Sequence, residues 1–411
     1  MSRPSTEMML DYDVIVAGGG PAGTTASTLL SQHGYKVLLI DKDQHPRFHI
    51  GESMLPMSEP IFQRLGVDWQ VGQYQRKNGA EFIDEAEGLR VRFPLASQHQ
   101  PYQVERSKFD LMMIENAAKQ GVDVHQMEMV KDVSCDIDKV SVRTDKSEYT
   151  ARYLIDATGR SAMMGRRKKS IQRIDNLGKF SLYAHYHSVH AEAANTLYET
   201  GDVKIIIVDI GWIWVIPMTG RRLSVGLVVQ KDVAASERKP ALFERYLSTS
   251  PLLAEALQGA EREFEVRAEA DFSFVNKSRH GLRYACCGDS GGFLDPVFSS
   301  GVFLAVKTAE MLADRLHEAF LAGKEDNPEL HCVDDDDYAL GFNSMRMFVE
   351  RFYHARLVHN LFSVSERSDE LKDDILGLLG GDLWTGKNDF QKKLLKSRQA
   401  QQLGIADEAK L

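Results

Sequence analysis

Gly18-x-Gly20-x-x-Gly23 stands between a short apolar run and a helical one, and that setting decides what the start of this chain can fold into. Tyr12-Asp13-Val14-Ile15-Val16-Ala17 reads as a strand of a buried parallel sheet. Thr24 to His33 reads as a helix closed by Gly34. Lys36-Val37-Leu38-Leu39-Ile40 is the second strand, with Asp41 at its end. The three make a β-α-β unit. In such a unit the first glycine makes the tight turn. The second lets a pyrophosphate approach the backbone, and the third lets helix pack on strand. The free N–H groups of the helix N-terminus then face the phosphates. Asp41 lies 18 residues past Gly23, where a carboxylate can hold ribose hydroxyls. The unit predicts a dinucleotide site built on Gly18, Gly20, Ala22, Gly23, Asp41 and Lys42. It does not separate FAD from NAD.

Farther along, Phe93 to Val104 is loop-like, with Pro94 and Pro101. Lys108 to Gln120 has helical spacing, with Phe109, Met112, Met113 and Ala117 on one side. Tyr153 to Gly159 is a strand running into a glycine turn. From about Phe180 to Val229 apolar and polar residues alternate, as in a half-exposed antiparallel sheet. In that stretch lies Trp212-Ile213-Trp214-Val215-Ile216-Pro217. Two Trp with one residue between them share a strand face, and Pro217 is expected to stop the ladder. Tyr284 to Cys287 returns to the buried-strand pattern, Gly301 to Phe320 is a long helix, and the last ninety residues are helical and charged.

At 411 residues the chain has room for two domains. Its net charge of −9 argues against a nucleic-acid partner, since phosphate binding wants a basic face. The one basic cluster, Arg166-Arg167-Lys168-Lys169, reads as a solvated turn, with an acidic protein partner as the alternative. Cys135, Cys286, Cys287 and Cys332 have no metal or redox spacing, so no metal site is expected and a reduced, cytoplasmic setting fits. Met1 to Leu10 lacks a signal-peptide run, and no stretch of about 20 apolar residues offers a membrane span.

Later segments add the cofactor's identity by resemblance. Cys287-Gly288-Asp289-Ser290-Gly291-Gly292, after a buried strand, resembles the second FAD fingerprint of flavin monooxygenases, in which the Asp meets the ribityl chain. Asp156-Ala157-Thr158-Gly159-Arg160 resembles that superfamily's intermediate turn, and Arg106 matches its flavin-contacting Arg. Four further segments resemble the flavin-dependent halogenases: Pro46 to Ser53, Arg76-Lys77-Asn78-Gly79-Ala80-Glu81-Phe82, Trp212 to Pro217, and Leu294-Asp295-Pro296-Val297-Phe298-Ser299-Ser300-Gly301. The resemblance covers residues from about 10 to 320.

The resemblance implies an α/β fold. An FAD-binding, Rossmann-like domain of the flavin monooxygenase type would comprise residues 10–80, 102–170 and 270–320. A mixed or antiparallel substrate sheet would comprise 81–101 and 171–269, with a helical C-terminal region at 321–411. It implies that reduced FAD, oxygen and chloride or bromide yield hypohalous acid. A tunnel would lead that acid to Lys77, which hydrogen-bonds it or forms a haloamine, and an electron-rich ring then takes the halogen. Gly301 would meet the flavin, and Ser299, Ser300 and Gly301 the halide, through N–H donors at a helix start. Ser is also a preferred helix cap, and both roles are compatible. Trp212 and Trp214 would keep substrate from the flavin. Tryptophan-type members carry a Glu just before the Ser/Thr pair. Here that position is Phe298, which points to a phenol or pyrrole, free or on a carrier protein. His49 and Glu52 are polar residues near the flavin for which a structural role is favoured. The absence of a second dinucleotide fingerprint, one for a nicotinamide, implies a separate flavin reductase as partner. An aromatic hydroxylase, a saturating reductase of the same fold and a non-catalytic flavoprotein are the competing readings.

Overall fold

The computed structural model describes residues 9–67, 73–95, 99–174, 177–236, 238–270, 273–354, 361–362 and 369–402. The expected first strand and helix lie at Tyr12–Ala17 and Pro21–Gln32. The helix begins three residues before the expected Thr24, because Pro21 sits at its first position, where a missing N–H leaves no bond unmade. Tyr12–Ala17 pairs in parallel with Val37–Ile40 on one side and Glu148–Asp156 on the other. The latter also pairs in parallel with Tyr284–Cys286. Val14, Ile15, Val16, Leu38 and Leu39 are wholly buried, as expected of strands covered on both faces. The helix Pro21–Gln32 and the long helix Gly301–Ala322 lie together over one face, sharing one core with Val14, Val16 and Leu39.

The second sheet runs Lys179–His187, Arg222–Gln230, Gly211–Met218, Val203–Val208, Gly79–Asp84 and Leu89–Pro94 in spatial order. All neighbours are antiparallel except Val203–Val208 with Gly79–Asp84, so this sheet is mixed. Two expectations need correction here. The sheet is not half-exposed. Its period-2 alternation sorts residues between two cores. Trp212, Trp214 and Ile216 face the core shared with the nucleotide-binding sheet. Ile213 and Val215 face a second core, closed by Phe243 and Leu247 of the helix Lys239–Thr249. Pro217 does not stop the ladder either. It pairs with Leu223 and the strand runs on to Met218. The neighbour on its other side pairs no further than Val215, so the missing N–H has no ladder bond to break there. The stretch from Phe93 is likewise less loop-like than expected. Phe93 and Pro94 end the strand Leu89–Pro94, and Tyr102–Gln103 pairs with Gln75–Arg76.

Helices Cys332–His354, Asp369–Gly380 and Asp389–Gln402 close the molecule. Gln391 Nε2 donates to Ser344 Oγ at 2.8 Å and to the Leu383 carbonyl at 2.7 Å, which ties the last helix to the first of the three. Phe298 and Phe348 stack at 4.0 Å with planes 11° apart, so this helical layer rests directly on the segment before Gly301. Among the described residues no helix is long and apolar enough to cross a membrane.

Candidate active site

A cavity of about 740 Å³ opens where the two sheets meet. Gly18, Gly20, Ala22, Asp41, Lys42 and Arg106 line it, as do Asp289, Ser299, Gly301, Trp212 and Trp214. Gly23, Ser300 and Lys77 do not, and the reasons differ. A Cβ on Gly23 would lie 1.8 Å from the Gly18 carbonyl oxygen, so this glycine serves the close packing of helix on turn. Gly20 is the opposite case. A Cβ there would meet nothing within 4 Å, because the space beside it is the cavity itself. A pyrophosphate fits that gap, at the N-terminus of Pro21–Gln32.

The polar groups around the cavity suit a dinucleotide. Asp41 is buried, and its Oδ2 accepts from Gly19 N at 2.6 Å while Oδ1 accepts from Asp43 N at 2.8 Å. The carboxylate therefore braces the glycine turn as well as facing the cavity. Arg106 is more committed than the sequence suggests. It grips Asp110 through Nε at 2.8 Å and Nη2 at 2.9 Å, and its Nη1 donates to the Ile50 and Gly51 carbonyls at 3.1 Å. It holds the segment around Gly51 against the cavity. His49 is pushed down to about 3 by burial, with the nearby Arg106 charge adding, so its imidazole is neutral at pH 7. Burial raises the Asp289 carboxyl to about 6, against the pull of Arg160 and Arg106.

The loop before Gly301 has unusual backbone. Ser299 adopts a left-handed conformation, φ +57°, which L-residues visit seldom. Ser300 is buried and does not cap the helix with its side chain. The first-turn N–H groups of Gly301–Ala322 thus keep no intrahelical acceptor and sit at the wall formed by Ser299 and Gly301.

Trp212 and Trp214 stand 6.1 Å apart on that same wall. Trp214 Nε1 donates to Ser224 Oγ at 3.1 Å, and its ring lies on Gly226, where a Cβ would come within 2.1 Å. Trp212 Nε1 donates to the Tyr353 hydroxyl at 2.7 Å, which donates in turn to Asp295 Oδ2 at 2.9 Å. Burial raises the Asp295 carboxyl to about 6, while the Tyr353 hydrogen bond works against it. The buried Lys179 lies 4.0 Å from the Tyr353 ring centroid, and burial lowers its ammonium pKa. Sequence reasoning missed Tyr353 and Lys179. Tyr353 is 141 residues from Trp212, and no local pattern marks a contact of that range.

Lys77 is wholly buried. Its Nζ donates to the Met54 carbonyl at 3.0 Å, and the neighbouring Ser53 lines the cavity. The amine therefore sits one residue behind the wall. Burial lowers its pKa from 10.5 to about 7, and the charge of Asp202 only partly offsets this. Arg92 already holds Asp202 through Nε at 2.6 Å and Nη2 at 3.1 Å. Because the folded pKa is depressed, the charged form is penalised below pH 7, and the penalty fades as pH rises from 7 to 10.5. At pH 7 it amounts to ~4 kcal/mol, at 1.36 kcal/mol per pKa unit. Lys77→Met should therefore melt at a higher temperature than the wild type at pH 7, with the gain shrinking toward pH 10. Thermal unfolding across that range checks this, and a lower melting temperature at pH 7 would contradict it.

A family profile described as FAD binding domain matches residues 11–331. A tryptophan 2-halogenase of Chondromyces crocatus is 32% identical over 76% of this chain, which spans 62% of that relative's length. A 1H-pyrrole-2-carbonyl peptidyl-carrier protein brominase of Pseudoalteromonas luteoviolacea is 29% identical, covering 90% of this chain and 92% of its own. The solved structure of the flavin-dependent brominase Bmp2 superimposes with a TM-score of 0.85 at 26% identity, over 96% of this chain and 99% of that one.

Proposed function

We propose, for a chain that belongs to the FAD binding domain family and within it to the flavin-dependent halogenases, that it halogenates an electron-rich phenol or pyrrole through Lys77. Reduced FAD, with oxygen and chloride or bromide, supplies hypohalous acid. The chain's residues do the rest. Gly20 and the helix start behind it hold the pyrophosphate, and Asp41 and Asp289 take the ribose and ribityl hydroxyls. The N–H groups at Ser299 to Gly301 hold the halide. Trp212 and Trp214, braced by Tyr353 and Ser224, keep the organic substrate off the flavin. Lys77 then receives the hypohalous acid, either as a hydrogen-bond donor or as an amine that takes the halogen and releases water.

The buried amine behind the cavity wall is the observation that carries this reading. A lysine whose pKa lies near neutrality offers both a donor and a nucleophile. Phe298 in place of a carboxylate favours an activated ring, and the carrier-protein brominase among the relatives favours a pyrrole held on a carrier. A separate reductase supplies the reduced FAD, because the sequence carries no second dinucleotide fingerprint for a nicotinamide.

The test supplies the protein with FAD, a flavin reductase, NADPH, oxygen and a panel of phenols, pyrroles and carrier-bound pyrroles, with and without bromide. Halogenated product should form only with halide and reductase together. Without the reductase, NADPH should be oxidised slowly. Hydroxylated product in the absence of halide would assign the chain to the hydroxylases instead.

A further inference from the structure

Attack of a ring on hypohalous acid leaves a proton that must go somewhere. Phe298 holds the position where tryptophan-type members carry a Glu, and it is buried against Phe348 with no acid or base of its own. Asp202, the carboxylate whose charge reaches Lys77, is held by Arg92, and Glu81 is held by Lys204 Nζ at 2.7 Å. Glu52 is not. It is 2% exposed, it lines the cavity, and neither of its oxygens accepts a hydrogen bond among the described residues. A carboxylate so buried and so little satisfied is costly to keep unless it is used.

Its position is informative. Glu52 lies two residues before Met54, whose carbonyl holds the Lys77 amine, so one short segment carries both groups. His185 Nε2 lies 2.8 Å from Glu52 Oε1, close but without hydrogen-bond alignment. His185 Nδ1 lies 3.6 Å from Glu263 Oε2. Side-chain exposure along this series rises from 1% at Glu52 to 3% at His185 and 19% at Glu263. The three groups lead from the cavity wall toward water. Arg222 Nη2 fixes the outer carboxylate at 2.6 Å.

Resting on the halogenase reading above, we propose that Glu52 is the catalytic base that takes the ring proton and that His185 is the positioning residue that passes it to Glu263. The ring's π electrons form the carbon–halogen bond as the oxygen–halogen bond breaks. The departing hydroxide takes a proton from the Lys77 ammonium and leaves as water. The C–H pair returns to the ring as its proton moves to the Glu52 carboxylate. An equivalent proton restores Lys77 from solvent, so the sum is ring plus hypohalous acid giving halogenated ring plus water.

The experiment uses full-length protein with FAD and a substrate the wild type halogenates. That substrate is given as an equal mixture of molecules with hydrogen and with deuterium at the reacting carbon. Wild type should consume both equally, because proton removal is fast. Glu52→Gln should retain FAD, lose about 100-fold in turnover, the scale of one general base, and favour the protio molecule, because proton loss has become slow. Glu52→Asp should recover part of the rate and erase the preference. His185→Gln, which leaves the carboxylate in place, should show a smaller preference of the same sign. Unchanged turnover with no isotope preference in Glu52→Gln would overturn the assignment, as would loss of FAD from that variant, which would make Glu52 part of the flavin site. Failure of the wild type to form halogenated product would be a different result, sinking the proposed function and this inference together.

Discussion

Gly18→Ala should yield little folded protein, whereas Gly20→Val should fold and hold no FAD. The two glycines stand two residues apart, and their surroundings are opposite. Gly18 has φ +109°, a backbone conformation that L side chains rarely adopt, and a Cβ there would lie 2.2 Å from the Ala157 carbonyl oxygen. The Ala157 carbonyl oxygen and carbon, 2.2 and 2.7 Å from that Cβ, are backbone atoms, so relief requires moving the strand Glu148–Asp156 against Tyr12–Ala17. A loss above about 4 kcal/mol is expected of such backbone strain and overpacking. That is a large part of the ~5–15 kcal/mol that holds a domain together. Gly20 has φ −78° and ψ −174°, an extended conformation that valine favours, and open space beside it. The valine would fill only the gap where the pyrophosphate belongs. Soluble yield and thermal melting read the first effect, and flavin absorbance after desalting reads the second. Wild-type melting of Gly18→Ala, or undiminished flavin in Gly20→Val, would contradict this division of roles.

The β-α-β unit was legible because its signal is local. The apolar run, the glycines and Asp41 all fall within about thirty residues, and each is explained by its neighbours in sequence. The tryptophan strand was legible as a strand for the same reason. Its burial on both faces was not, because what covers the far face is the helix Lys239–Thr249, which nothing in the strand announces. Pro217 misled because its tolerance depends on where the neighbouring strand ends, a fact of register rather than of composition.

The site shows the same divide. Lys77 could be singled out only through its resemblance to a known segment. Its burial and its contact with Met54 depend on tertiary structure. Tyr353 and Lys179 belong to no local motif, yet they flank Trp212 and Asp295, which do. Glu52 was visible as a polar residue in a recognisable stretch. Its lack of partners and its approach to His185 appear only in three dimensions.

Lys77→Met should leave a stable, FAD-loaded protein that still consumes oxygen and makes almost no halogenated product. Methionine fills nearly the same buried space, so packing is kept. It removes the penalised charge, so the fold does not suffer. It cannot donate a proton to hypohalous acid or accept a halogen from it. Removing a group that acts in general acid–base or nucleophilic steps typically lowers turnover by about 100- to 10,000-fold. Lys77→Arg should fail as well, because a guanidinium remains protonated at neutral pH and is not a nucleophile. Lys77→Ala should fail in transfer too, though it leaves a cavity that confuses the stability comparison. The measurement that decides is the amount of halogenated product formed per oxygen consumed, in wild type and in Lys77→Met, with reductase, bromide and an accepted substrate. Oxygen consumption should persist while product per oxygen falls by about 100-fold or more. Product per oxygen close to that of the wild type would remove Lys77 from the reaction and leave the buried amine without a role.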